Sequence, residues 1–387
     1  MSFSQALSGL NAASNNLKVM GNNIANSQTV GFKSSSMQFA DVYANSKVGL
    51  GTRVSAVLQN FTAGNLESTN RSLDLAISGD GFFRFSQNGQ VVYSRNGQLN
   101  LTPEGYIENG QGARLMGANG MLQVPAEGMT SSATTKIEGA FNLDARTTVP
   151  ATRPAFAPTD ASSYDYANTA TVFDSLGNPH TVTTYFIKTT ESATGNTWTA
   201  RATVDGVLSP ETQTATFDTR GVLTGYAPSA FTHSPGRGAA DMNITLDLTG
   251  TTQFGNESSV ATLNQNGYTA GSLVGFSIDK GGNIIGNYSN EQKQVIGVIQ
   301  LASFRNPEGL MPVGDNAWME TTASGQPLVG QAGTGMYGAI ESGVVETSNV
   351  DLTKELVNLI VAQRTFQANA QTIKTQDEVL QQAVNLR

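Results

Sequence analysis

The sequence predicts an α+β, multidomain chain in which two terminal helices lie outside two nested, mainly β domains. Three observations carry that prediction. Apolar residues recur at helical spacing at both ends. Short alternating runs separated by Asn-Gly pairs fill the middle. A long stretch of different texture, residues 131–268, interrupts that middle. With 387 residues the chain has room for two or three domains.

At the first end a heptad frame runs Phe3, Leu7, Leu10, Ser14, Leu17, Gly21, Ile24. At the other it runs Leu352, Leu356, Leu359, Gln363, Phe366, Ala370, Ile373, Asp377, Leu380, Val384. Alternating steps of four and three put each set on one helical stripe. Ser348-Asn349-Val350-Asp351 reads as a capping box with Asp351 in the first turn, and neither Gly nor Pro occurs from Leu352 to Arg387. Chain ends are usually frayed and polar, so such stripes point to packing. The partner is the chain's own body, or the opposite end together with copies from neighbouring chains. A membrane surface is disfavoured because Lys18 is the only basic residue in the first helix.

Residues 31–70 read as an extended connector, with partial alternation from Val48 to Val57. Leu73, Leu75 and Ile77 then alternate, and Gly81-Phe82-Phe83-Arg84-Phe85 leads through Asn88-Gly89 to Val91-Val92-Tyr93-Ser94. Asn96-Gly97 and Asn109-Gly110 continue the series, predicting a β-meander, because both residues tolerate positive φ. Inside the insert, Thr169–Phe173, Thr181–Ile187 and Met242–Leu248 read as strands; beyond it, so do Ser272–Ile278 and Val295–Phe304. The expected division is 1–30 with 350–387 helical, 31–70 connecting, 71–130 with 269–349 a middle β domain, and 131–268 an inserted β domain.

Composition narrows the function. Lys+Arg number 22 against 30 Asp+Glu, a net charge of −8 without a basic cluster, which argues against nucleic acid. Charged residues make up 13%, about half the usual ~25%. The longest apolar run, Val295–Phe304, is far short of the ~20 residues of a membrane helix, so no membrane insertion is expected. There is no Cys, hence no disulfide, thiol nucleophile or thiolate metal site. Met1-Ser2-Phe3-Ser4-Gln5 lacks the start of a cleavable signal peptide.

Catalytic patterns do not emerge either. No Gly-Lys dipeptide and no G-x-S-x-G occurs, and Gly79-Asp80-Gly81 breaks the dinucleotide pattern at its third glycine. The two histidines, His180 and His233, would need carboxylates to complete a zinc site, an uncommon composition. His180 follows the turn residues Asp174 to Pro179, and both histidines read as structural or exposed. The expectation is no enzyme, no cofactor and no metal.

One motif adds a specific signal: Gly21-Asn22-Asn23-Ile24-Ala25-Asn26-Ser27-Gln28-Thr29-Val30-Gly31-Phe32-Lys33. Together with Leu73-Asp74-Leu75-Ala76-Ile77-Ser78-Gly79-Asp80-Gly81-Phe82-Phe83, Tyr93-Ser94-Arg95-Asn96-Gly97 and Ser348-Asn349-Val350-Asp351-Leu352, it resembles the bacterial flagellar rod, hook and hook-associated axial proteins. The long insert, and the run from Phe39-Ala40-Asp41-Val42-Tyr43 to Gly49-Leu50-Gly51, resemble the hook-type members more than the shorter rod proteins.

The resemblance implies a self-assembling tubular homopolymer that joins rod to filament and transmits torque as a flexible joint. It implies an inner coiled-coil layer built from Leu7, Leu10, Leu17, Ile24, Leu352, Leu356, Leu359, Phe366, Ile373 and Leu380. Asn22, Asn23, Asn26, Thr29, Gly31 and Phe32 form the family motif. Phe39 and Tyr43 resemble a short element that docks at the type III export gate, although packing within the connector explains them equally well. Implied partners are the rod, the hook cap, the hook-filament junction proteins and the export gate, with a location outside the cell in the flagellum, reached without a cleaved signal peptide. The alternatives are a distal rod or other axial sibling and, more remotely, a secreted β-rich enzyme or adhesin.

Overall fold

The structure, a computed structural model, describes residues 3–42 and 49–385. Both terminal stripes are helical: α1 spans Phe3–Ala25 and α2 spans Leu352–Asn385. The first ends in an asparagine knot, where the Asn26 amide and its side-chain Nδ2 both donate to the Asn22 carbonyl, at 3.1 and 3.0 Å. The second begins at Asp351, whose Oδ1 accepts the Lys354 amide at 3.1 Å, as an N-cap residue does. The expected capping box therefore starts three residues later than its first serine suggested. Ser348 Oγ instead accepts the Val350 amide at 3.3 Å, and Asn349 is engaged elsewhere. Among the described residues, no helix is long and apolar enough to cross a membrane.

The chain divides into two units. The first comprises Met1–Ala126, Phe276–Gly286 and Gln294–Arg387. After α1 the chain doubles back as a hairpin of β1 (Ser35–Asp41) and β2 (Thr52–Gln59), with Ser35 opposite Gln59 and Asp41 opposite Thr52. The body of this unit carries the expected meander. Strands Phe82–Gln87 and Gln90–Ser94 turn through Asn88 (φ 49°) and Gly89 (φ 80°), the two left-handed residues a type I′ turn requires.

Asn96-Gly97 does something else. Leu75 N donates to Gly97 O at 2.9 Å, and a Cβ on Gly97 would lie 2.0 Å from Leu75 O. Glycine is needed there for close backbone approach, not for a hairpin. The run Val295–Phe304 likewise breaks at Ile299 into Lys293–Val298 and Gln300–Ser303. Phe61, Phe82 and Trp318 meet edge to face at 5.3–6.0 Å, and Trp318 Nε1 donates to Gln59 Oε1 at 2.7 Å, which anchors the base of β2 to the core.

The second unit comprises Glu127–Gly275 and Asn287–Lys293. Five antiparallel strands, Tyr166–Phe173, Pro179–Ser192, Gly195–Val204, Val207–Phe217 and Leu223–Tyr226, lie side by side in chain order. A four-stranded sheet runs in the order Ser229–His233, Met242–Asp247, Lys136–Asn142, Ser259–Gln265, and its middle pair is parallel. The two sheets share one core that includes the fully buried Phe141, Phe186, Trp198, Phe217 and Ile244. Each such side chain contributes ~1.5–3 kcal/mol, so this core holds the unit together.

Candidate assembly surface and motif junction

The two helices meet through their smallest side chains. Ala12 and Ala13 of α1 and Ala362 of α2 are buried and line one groove of about 460 Å³ with Gly9, Thr365 and Asn369. A methyl group on Gly9 would come within 2.9 Å of Asn369 Oδ1, so any larger residue there would make the Asn369 side chain shift. The predicted leucine stripe is therefore rotated away from the seam. Leu10, Leu17, Ile24, Leu359, Phe366 and Ile373 are half-buried, whereas Leu7, Leu352, Leu356 and Leu380 are exposed. Small residues at a helix contact let two backbones come close, and here the longer side chains lie beside that contact.

What remains outside is an apolar face. Leu356, Val357, Ile360 and Val361 are 44%, 56%, 50% and 58% exposed, and Phe3 and Leu7 on α1 are exposed as well. Their spacing of one, three and one residues places them on a single side of α2. Phe39, on β1, lines the α1–α2 groove and is exposed; Tyr43 lies outside the described residues.

The family motif occupies the base of the helices. Asn23 is buried and pairs reciprocally with the Ser35 backbone, accepting its amide at 3.0 Å and donating to its carbonyl at 2.8 Å. Exposed Asn22 accepts from Asn26 Nδ2 at 2.9 Å, and Asn26 Oδ1 accepts from Thr29 Oγ1 at 3.1 Å. Gly31 has φ +70° and donates to Glu346 O at 2.8 Å; a Cβ there would meet Asn96 N at 2.6 Å. Phe32 is buried beside it.

Next comes Lys33, fully buried, whose Nζ donates to Glu346 Oε1 at 2.6 Å and Thr62 O at 2.7 Å. The same carboxylate accepts the Gly64 amide at 2.8 Å and Arg95 Nη1 at 3.3 Å. Burial pushes the Lys33 ammonium and the Arg95 guanidinium below their usual ranges, while the charge and hydrogen bonds of Glu346 pull both back up. Asn349 completes the junction: its Oδ1 accepts Ser34 N at 2.7 Å and its Nδ2 donates to Asn60 O at 2.8 Å. Three motifs up to 315 residues apart thus converge where both helices leave the β body.

Sequence reasoning missed Lys33, Arg95 and Glu346 as one ionic node, since nothing in their spacing links them. The seam itself left a signal: Ala6, Gly9 and Ala13 repeat at steps of three and four. The structure also brings the chain's two histidines together in the second unit, where His180, Asp205 and His233 form a group of potential metal ligands.

Comparison with known proteins gives four family matches in chain order. Residues 4–33 match the family described as Flagella basal body rod protein, and 76–143 match the Flagellar hook protein FlgE/F/G D1 domain. Residues 142–268 match the Flagellar basal body protein FlaE D2 domain, and 341–386 match the Flagellar basal body rod FlgEFG protein C-terminal family. The Flagellar hook protein FlgE of Salmonella typhimurium is 46% identical over 408 residues, covering 100% of both chains. That of Borreliella burgdorferi is 31% identical, covering 100% of this chain and 99% of its own. In the crystal structure of Helicobacter pylori flagellar hook protein FlgE2, the fold matches with a TM-score of 0.57 at 14% identity, over 73% of this chain and 100% of that one.

Proposed function

Because the chain belongs to the flagellar hook protein family, we propose that its uncovered helical face is the surface through which copies polymerise. The protein is a structural subunit of the bacterial flagellar hook and not an enzyme. The observation that carries the polymerisation reading is the row Leu356, Val357, Ile360 and Val361, 44–58% exposed on a helix whose opposite side is already packed. Covering the exposed half of four such side chains yields roughly half of the ~1.5–3 kcal/mol each that full burial gives. That is of the same order as the ~4–15 kcal/mol lost when two bodies associate, so the row matters only when repeated along a polymer.

In this reading residues 1–30 with 350–387 form an inner coiled-coil layer, with Leu7, Leu352, Leu356 and Leu380 reaching neighbouring copies. Residues 31–70 connect, 71–130 with 269–349 form the middle layer, and 131–268 face outward. Bending transmits torque as a universal joint does, and the low charge content lets outer surfaces slide without breaking strong ion pairs. The chain leaves the cell through the type III apparatus, with Phe39 exposed for gate recognition, and meets the rod, hook cap and junction proteins at the tube's ends.

Ile360→Asp tests the surface. Electron microscopy should show no tubes, while thermal unfolding of the β units stays as in the parent chain. Tubes of normal length and shape from that variant would overturn the proposal.

A further inference from the structure

His180 and His233 are the only histidines in 387 residues, and in the second unit their rings lie 6.1 Å apart. They come from different sheets. His180 stands near the start of strand Pro179–Ser192 and His233 at the end of Ser229–His233. Asp205 joins them from the left-handed turn Asp205-Gly206, which links Gly195–Val204 to Val207–Phe217. One ligand atom from each of the three lies within 4.8 Å of the others.

The hydrogen-bond accounting around His180 is unusual. Nδ1 lies 2.6 Å from Asp205 Oδ2, and Nε2 lies 3.4 Å from Asp174 Oδ2. A neutral imidazole has one N–H and one lone pair, so whichever tautomer is present, one carboxylate oxygen faces a lone pair. The cluster needs a cation. At 2.6 Å Asp205 is the nearer partner for an N–H, and when a metal cation takes the place of that proton the N–H moves to Nε2 and faces Asp174. Asp174 is buried and held rigidly, accepting the Leu176 amide at 2.9 Å, the Asn178 amide at 2.8 Å and Asn178 Nδ2 at 2.9 Å. A carboxylate fixed in this way behind an imidazole is the usual orienting partner of a metal-bound histidine. Nδ1 then presents its lone pair toward Asp205 and His233.

We propose that the second unit binds one divalent transition-metal ion of the zinc class through His180 Nδ1, Asp205 and His233, with Asp174 orienting His180 from behind. Two imidazoles and a carboxylate suit zinc, nickel or copper rather than calcium or magnesium. Ligand atoms at ~2.0–2.2 Å from zinc stand about 3.3 Å from one another, a spacing bracketed by the separations in the cluster. The half-exposed Asp205 leaves a fourth position open to water. Bound there, the ion ties the two sheets together at one end of their shared core.

The test uses the untagged full chain, stripped of metal by a chelator, with Co²⁺ and then Zn²⁺ as probes. One equivalent of Co²⁺ should produce visible ligand-field bands, Zn²⁺ should displace them, and the unfolding transition of the second unit should rise. His233→Gln should lose the bands and weaken binding at least tenfold, and Asp174→Asn should weaken it about 10–100-fold. Proton NMR needs no variant, because the chain has only two imidazoles: both should shift or broaden with one equivalent of Co²⁺. If neither imidazole responds, the cation is a proton on His180 alone and the proposal fails. Bands that survive unchanged in a folded His233→Gln chain would place the ion elsewhere and overturn it equally.

Discussion

Glu346 satisfies two buried cations and a backbone amide with one carboxylate, so its removal should be felt more than that of any surface charge. Glu346→Gln removes the carboxylate that both buried cations, Lys33 and Arg95, bond to, and the expected loss is about 3–5 kcal/mol in urea unfolding. Lys33→Met should be milder, since Glu346 keeps Arg95. Tyr93 sets a second residue-scale expectation. Burial, and donation of its hydroxyl to Glu320 Oε2 at 2.8 Å, raise its ionisation well above the usual 10.0. A phenol whose folded value is raised stabilises fully below the unfolded value and loses that contribution as pH rises past it. Phenolate absorbance should therefore show Tyr93 ionising only as the first unit unfolds, above about pH 10. Ionisation of all ten tyrosines in one step before unfolding would contradict this.

At the scale of elements, the helices were legible because a 3.6-residue period survives any tertiary context, and α1 and α2 begin within a residue or two of where the stripes begin. Which face they use was less legible. Hydrophobicity singles out leucines, but close approach of two backbones selects Ala and Gly, so the intrachain seam lies beside the stripe. The strongest hairpin signal, Asn88-Gly89, turned as expected, while the identical dipeptide at Asn96-Gly97 serves a close crossing that only a distant segment, Leu75, explains. The β1–β2 hairpin was hidden for a related reason. One of its faces is only half-buried and the other exposed, giving a weak period-two signal.

For the molecule as a whole, the insert was visible as a change of texture, but its two-sheet architecture and the meeting of His180 with His233 are products of topology between segments far apart in the chain and carry no local mark. Deleting 131–268 should leave α1, α2 and their junction able to form, because all of these lie in the first unit. Tubes assembled from that chain should differ from the parent in curvature or stiffness under the electron microscope. Identical tubes would show that bending resides elsewhere. The junction also dictates an order of events. A chain is made amino end first, so Lys33 and Arg95 exist long before their counter-ion Glu346. Two buried cations without an anion oppose closure, so the base of the helices closes only when residue 346 is present. Completion is thereby timed by the arrival of a single carboxylate, a built-in delay that leaves the base of the helices unlocked until almost the whole chain has been made.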